Sequence, residues 1–311
     1  MISFTSIVKD EISKNEVTGP KDISELSAIM RNAATCDEKI KITTENASIA
    51  RHIFNLIKKN YEVIPKTTVR RNKNYHNKHI YILETTEKKD LILSDLSIYD
   101  KKEFLNIPKE YIVADEDLKR SYLKGVFLTC GSINDPKKSR YHLEFLVDNK
   151  DYANWLNNLL NEDYLNSKIV KRDNRYMVYI KEAEKIGDFL RIIEAFNAIL
   201  YYEDIRIYRD HKNMTNRLNN CEQANVDKII ETASKQVKEI ELIEEKASLD
   251  LLSEKELLVA QYRLKYKEAS LLELSEIISE ETEEKITKSG VYHRLKKIHE
   301  LASKIENKEK S

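Results

Sequence analysis

The chain is poor in the residues that most often announce a chemistry. Five glycines and four prolines are all it has in 311 residues, so a glycine-rich loop that cradles phosphates is absent. Its cysteines are Cys36, Cys130 and Cys221. That odd set forms no C-x-x-C pair and has no histidine pair nearby, which argues against a zinc site or disulfide framework and for a reducing cytoplasm. No apolar run approaches the length that crosses a bilayer. The opening "MISFTSIVKDEISKNE" carries acids within its first turns, unlike a secretory leader. Nor does one sign of charge dominate: 53 Lys and Arg balance 53 Asp and Glu. Any surface for a polyanion must therefore come from local segregation of charge.

What remains is a folded, charge-coated chain, 41% hydrophobic and 34% charged, long enough for two domains. Its first 200 residues repeat one plan. Copy one runs from an apolar helix over 24–35 to a strand over 38–46 and a helix over 47–60. Ile49, Ile53, Phe54, Leu56 and Ile57 mark one face of that second helix. Strands over 61–71 and 79–85 follow, joined by the polar turn "NKNYHNK", and a helix over 87–99 closes the unit. Copy two has the same order: helix 117–131, strand 141–149, helix 150–162, strands 167–173 and 175–181 joined at Asp173-Asn174, and helix 182–200. "VRRNKNY…IYI" in the first echoes "VKRDNRY…VYI" in the second. The recurrence of the basic hairpins in register favours internal duplication over two unrelated stretches.

From about residue 221 the pattern is helical only. Residues 221–247 hold apolar positions at helical spacing without Gly or Pro, and read as one long helix, a linker or a brace. Helices over 253–269, 270–279 and 287–305 follow. Ser253 with Glu256 and Ser270 with Glu273 fit capping boxes. The last segment, "ITKSGVYHRLKKIHELASKI", fits the reading helix of a helix-turn-helix, which lays its N-terminal side chains in the major groove. Val291, Leu295 and Ile298 form its inward face, and Ser289 is placed to cap it. Lys288, Ser289, Tyr292, His293, Arg294, Lys296 and Lys297 are the expected DNA contacts. The acidic run "SEETEEK" just before it must point away from phosphate for this to work; otherwise the basic helix is simply a solvated face.

These pieces together resemble the WhiA family of bacterial regulators of sporulation and cell division. The resemblance covers nearly the full length. It rests on "SFTSIVKDEIS", "YLKGVFLTCGSINDP…YHLEF", "VYIKEAEKIGDFL", "NRLNNCEQANVDK" and "ITKSGVYHRLKKI". Tyr292 departs from the smaller polar residue that the family pattern leads one to expect. The resemblance implies an α+β fold: a duplicated, degenerate LAGLIDADG-like domain of α-β-β units about a pseudo-twofold axis, then an all-α helix-turn-helix domain. Mapped on this chain, the duplicated domain spans 1–220, with repeats at about 22–100 and 117–205. A linker helix spans 221–247 and the helix-turn-helix domain 248–311. Double-stranded DNA is the implied partner, with transcription and division as the setting and nucleoid-associated cytoplasm as the location. The duplicated region offers a second surface, for DNA or for a protein partner.

In LAGLIDADG nucleases two such helices pack at the centre and each delivers a carboxylate to metals at the scissile phosphates. Aligned on Leu123, the motif puts Gly125 at the close-packing position and Cys130 in the acid's place. Aligned on Leu26 in copy one, it puts Ala28 and Ala33 there. Neither helix supplies an acid, so no catalytic residue, metal ligand or cofactor is assigned. Glu38 and Asp135, at matching places past the helices, are the remaining metal candidates, with a turn role the simpler reading. The nuclease relatives also lay paired sheets along the major groove. The residues here that correspond to that use are Lys66, Arg70, Arg71, Lys73 and Lys78 with Tyr75, and Lys168, Lys171, Arg172 and Arg175 with Tyr176. Basic side chains that guard an exposed sheet edge would look the same. Two other classes stay open at this point: a metal-dependent homing-type endonuclease or nickase, and a protein-interaction scaffold of the division machinery.

Overall fold

The computed structural model describes residues 3–16, 18–72, 78–101, 103–138, 140–282 and 284–309. Contacts divide the chain into two units, Met1–Arg209 and Asp210–Ser311.

The first unit opens with α1 (Phe4–Ile12) and α2 (Pro20–Ala33). Gly19 at φ 66° turns the chain into α2, and Pro20 sets its first helical residue. Then come β1 (Ala34–Thr35), β2 (Ile40–Thr44), α3 (Ala47–Tyr61), β3 (Lys66–Asn72), β4 (Lys78–Thr85) and α4 (Lys89–Asp95). A short ladder, β5 (Tyr99–Asp100) with β6 (Glu103–Phe104), leads to the second copy. That copy consists of α5 (Glu116–Cys130), β7 (Gly131–Ile133), β8 (Leu143–Val147), α6 (Lys150–Glu162), β9 (Lys168–Arg172), β10 (Arg175–Ile180) and α7 (Ala183–Ile192). The two antiparallel sheets have the same strand order, β1-β2-β4-β3 and β7-β8-β10-β9. Even the caps repeat. Asn46 accepts from the Ser48 and Ile49 N–H groups at the start of α3, and Asn149 accepts from the Tyr152 N–H at the start of α6. The expected duplication is therefore present, with β1 and β7 as short strands that the sequence pattern did not reveal.

α2 and α5 pack against each other at the centre. A Cβ on Gly125 would lie 2.9 Å from the Ala28 Cβ and closer still to the Glu25 carbonyl oxygen. Glycine is needed there so that the two backbones can touch. Around this contact one core gathers both copies, with Leu26, Ile29, Leu123 and Phe127 from the central helices and Ile42, Ile53, Phe145 and Leu156 from the sheets and outer helices.

Two of the expected helices in the first unit end early for the same physical reason. The helix expected over 87–99 stops at Asp95, because Ser97 adopts φ 56° and the Ile98 N–H donates back to the Leu93 carbonyl. The helix expected over 182–200 breaks after Ile192. Glu194 turns left-handed at φ 58° and the Ala195 N–H donates to the Leu190 carbonyl. Both are left-handed helix stops that satisfy a carbonyl otherwise left open. A new helix, α8 (Phe196–Lys246), starts at once. Its first N–H groups are taken by Glu11 of α1, whose carboxylate accepts from Asn197 N–H at 2.7 Å and Ala198 N–H at 2.9 Å. The helix expected over 221–247 is thus the later half of a 51-residue helix.

The second unit continues with α9 (Glu254–Lys265), α10 (Leu271–Thr282) and α11 (Lys288–Glu309). Both expected capping boxes form: Ser253 with Glu256, and Ser270 with Glu273. Ile240 and Ile243 of α8 join Val259, Leu274, Ile278, Val291, Leu295 and Ile298 in a separate core. Among the described residues no helix is long and apolar enough to cross a membrane.

Candidate nucleic-acid interface

The last helix is locked from one side and open on the other. Val291, Leu295 and Ile298 are buried, as their spacing predicts. Lys288, Ser289, Tyr292, His293 and Lys296 are exposed. These five recur at one, three, one and three residues, so they form one stripe along the first two and a half turns. Tyr292 and His293 hold their rings edge to face, 5.5 Å apart. An aromatic pair flanked by lysines gives apolar contact to base edges and charge to phosphate.

Two expected placements need correction, and one expected contact has a neighbour of opposite charge. Ser289 does not cap the helix; the Thr287 hydroxyl does, accepting from the Gly290 N–H at 3.2 Å. Ser289 is left exposed in the first turn. Arg294 leaves the outward stripe. Three residues after Val291 and four before Ile298, it sits at the edge of the packed face, partly buried, with its Nη1 enclosed and unpaired. Lys297 is exposed but lies 3.4 Å from the Glu256 carboxylate of α9, which offsets part of its charge. Of the acidic run, Glu280 and Glu284 are exposed and Glu281 is turned to other work. Glu281 accepts from Lys265 at 3.0 Å and from the Tyr266 hydroxyl at 2.8 Å. Glu283 lies outside the described residues.

The hairpins divide by strand alternation. In the second copy Val178 faces the core and pairs with Ile169, so Lys171, opposite Tyr176, shares the core-side parity. Lys168, Arg172 and Arg175 have the outward parity, and Arg172 pairs with Arg175. Acids accompany them: Arg175 Nε is 2.8 Å from Asp148, and Arg172 is 4.0 Å from Glu144. In the first copy Ile42 faces the core opposite Leu83, and Leu83 is opposite Thr67. Arg71 therefore takes the core-side parity, while Lys66 and Arg70 point outward. The expected basic contacts are all exposed where described and Tyr176 is half-buried, yet they do not make one surface. Lys73 and Tyr75 lie outside the described residues, as does the Lys78 side chain.

At the ends of the central helices, where a nuclease would hold its acids, stand Ala33 and Cys130. The Cys130 thiol donates to the Val126 carbonyl at 3.3 Å. Burial pushes the thiol up to about 12, with only partial relief from nearby Lys9, so it is a protonated packing group and not a nucleophile. Asp135 serves its own turn, its carboxylate accepting from the Lys137 N–H at 2.9 Å. Glu38 is exposed. Among the described residues no three His, Cys, Asp or Glu side chains lie close enough to hold a metal.

Sequence reasoning missed a buried ionic chain between the copies. Glu25 of α2 is fully buried, 3.1 Å from Lys124 of α5 and 2.6 Å from His52 Nε2 of α3. Lys124 also donates to the Asn15 carbonyl at 3.2 Å. The only sequence signal was a lone Glu and a lone Lys on otherwise apolar helix faces.

Comparison with known proteins fits this architecture segment by segment. Family models match as the WhiA N-terminal LAGLIDADG-like domain over residues 21–99, the WhiA LAGLIDADG-like domain over 119–212, and the WhiA C-terminal HTH domain over 215–302. A "Probable cell division protein WhiA" from Staphylococcus epidermidis is 41% identical over 313 residues, covering 99% of each chain. One of the same name from Bacillus cytotoxicus is 42% identical over 311 residues, covering 98% of this chain and 97% of its own. The solved structure described as "full-length DUF199/WhiA from Thermatoga maritima" superposes with a TM-score of 0.56 at 25% identity, over 97% of this chain and 99% of that one.

Proposed function

The chain belongs to the WhiA family, and from that premise we propose that it is a DNA-binding regulator tied to cell division and sporulation, without nuclease activity. It works at the nucleoid in the cytoplasm and reads duplex DNA chiefly with α11. The observation that carries this reading is the exposed stripe Lys288, Ser289, Tyr292, His293 and Lys296 on a helix whose other face is buried. A helix so locked presents its side chains in fixed register, as groove reading requires. Lys297, half-engaged by Glu256, flanks the stripe, and Arg294 supports the helix from its packed edge.

The test is a mobility-shift titration on duplex DNA at several salt concentrations. Lys288→Ala with Lys296→Ala removes two phosphate neutralisers, so the slope of log K against log salt falls in magnitude by about 1.8. Tyr292→Ala weakens binding with little change in slope. Unchanged affinity in both variants at every salt would remove α11 as the reader.

Absent nuclease activity is supported by Ala33 and Cys130 in the places of the metal-holding acids: without a carboxylate at either helix end, the two-metal clamp has no ligands. Plasmid incubated with Mg²⁺ or Mn²⁺ stays supercoiled. Nicking abolished by Glu38→Ala with Asp135→Ala would restore the nuclease reading. The outward hairpin cations Arg70, Arg172 and Arg175 form a secondary DNA contact in this reading. Arg71 and Lys171, on the opposite parity, are free to serve a protein partner.

A further inference from the structure

Arg263 of α9 is a cation buried without an anion. It is 1% exposed. Its Nη1 donates to the carbonyls of Ala269 at 2.6 Å and Tyr266 at 3.3 Å, which ties down the turn between α9 and α10. Its Nε is enclosed and has no partner. Burial alone lowers its pKa, and no carboxylate acts against that. A guanidinium removed from water is stabilised when an anion meets it, and here the turn supplies only neutral carbonyls.

A second orphan lies on the same wall. Gln236 Oε1, from α8, is buried and unpaired. Gln236 and Arg263 both line one cavity of about 430 Å³ within the second unit, a size within the range of small-molecule sites. Ile229, Ala233 and Leu272 make its apolar wall, and the exposed Lys228 and Lys288 stand at its rim. Among the described residues three cations and no acid line it. A buried guanidinium without an anion, apolar walls and a positive field together describe one kind of occupant.

We propose that this cavity binds a small carboxylic acid with an apolar body. The carboxylate meets the Arg263 guanidinium within reach of Lys288, and the body lies on Ile229, Ala233 and Leu272. Lys288 is also the first residue of α11, so occupancy draws one cation out of the DNA-facing stripe. That consequence rests on the DNA-reading role of α11; the binding itself does not.

Isothermal titration of the full chain with hexanoate and with phenylacetate tests it, with hexanamide and phenylacetamide as uncharged controls and inorganic phosphate as an anion without an apolar body. One site per chain is expected for at least one of the two acids, with amides and phosphate silent. Arg263→Met weakens that binding by about tenfold or more. Thr232→Trp, an exposed wall position that does not disturb the core, abolishes it. Silence from both acids at millimolar concentration overturns the proposal, as does equal binding of the amides or binding unchanged in both variants. In a mobility shift, the bound acid weakens DNA binding by the wild type and not by Thr232→Trp. Calorimetric binding with unchanged DNA affinity keeps the pocket and removes its coupling to α11.

Discussion

At Gly125 the demand is for space, since its backbone is ordinary helix and its missing Cβ is what lets α2 and α5 touch. Gly125→Ala therefore costs about 1–3 kcal/mol, read as a lower thermal midpoint, and Gly125→Val costs more. Three residues back along α2 the same interface buries the Glu25–Lys124 pair. Removing one partner leaves a charge without its mate, so Lys124→Met destabilises by about 3–5 kcal/mol. The double variant Glu25→Gln with Lys124→Met recovers part of that loss, and a double loss equal to the sum of the two single losses would show that the pair is not coupled. The cysteines differ as sharply. With its thiol pushed up to about 12, Cys130 holds on the order of one thiolate in 10⁴ molecules at pH 8. Cys221 is exposed on α8. Iodoacetamide at pH 8 labels Cys221 well before Cys130, as peptide mass spectrometry will show.

Helix ends decide what the sequence does and does not disclose at the scale of elements. α3 and α6 were legible almost to the residue, because an apolar face and an Asn cap are both written locally. The capping boxes of α9 and α10 were legible for the same reason. The break between α7 and α8 was not, because the carboxylate that starts α8 comes from Glu11, far back in the chain. The stripe on α11 was largely legible from its period, and Arg294 was misplaced because it falls one position inside the packed edge. The opposed parities of Arg70 and Arg71 needed the observed register. One cap also predicts a pH response. Burial raises the Glu256 carboxyl, but the Ser253 N–H, the Ser253 hydroxyl and Lys297 outweigh it and hold it below its ordinary range. A carboxyl with a lower folded than unfolded value adds stability in full above the unfolded value, about 4.3. That contribution disappears as the pH falls through the folded value. Ser253→Ala flattens the acid limb of the stability profile measured by circular dichroism, and an unaltered limb would show that the cap carries none of it.

On the scale of the whole molecule, residues 210–232 of α8 are exposed without exception, so little packing protects that stretch from local opening. Limited trypsin digestion cuts among Lys212, Arg217 and Lys228 and leaves two resistant fragments; cuts that scatter through either core instead would argue against two separately stable units. Reverting Cys130 to an acid would place a single carboxylate near the ammonium of Lys9, which would neutralise it in a metal's stead, while Ala33 would still offer nothing from the other side. Under the non-nuclease reading proposed above, building a metal clamp at this helix pair takes changes at Ala33, Cys130 and Lys9 together, and each halfway form gains no activity from the charge it adds. No single substitution leads from this helix pair to a metal site, and what the pair keeps is its shape.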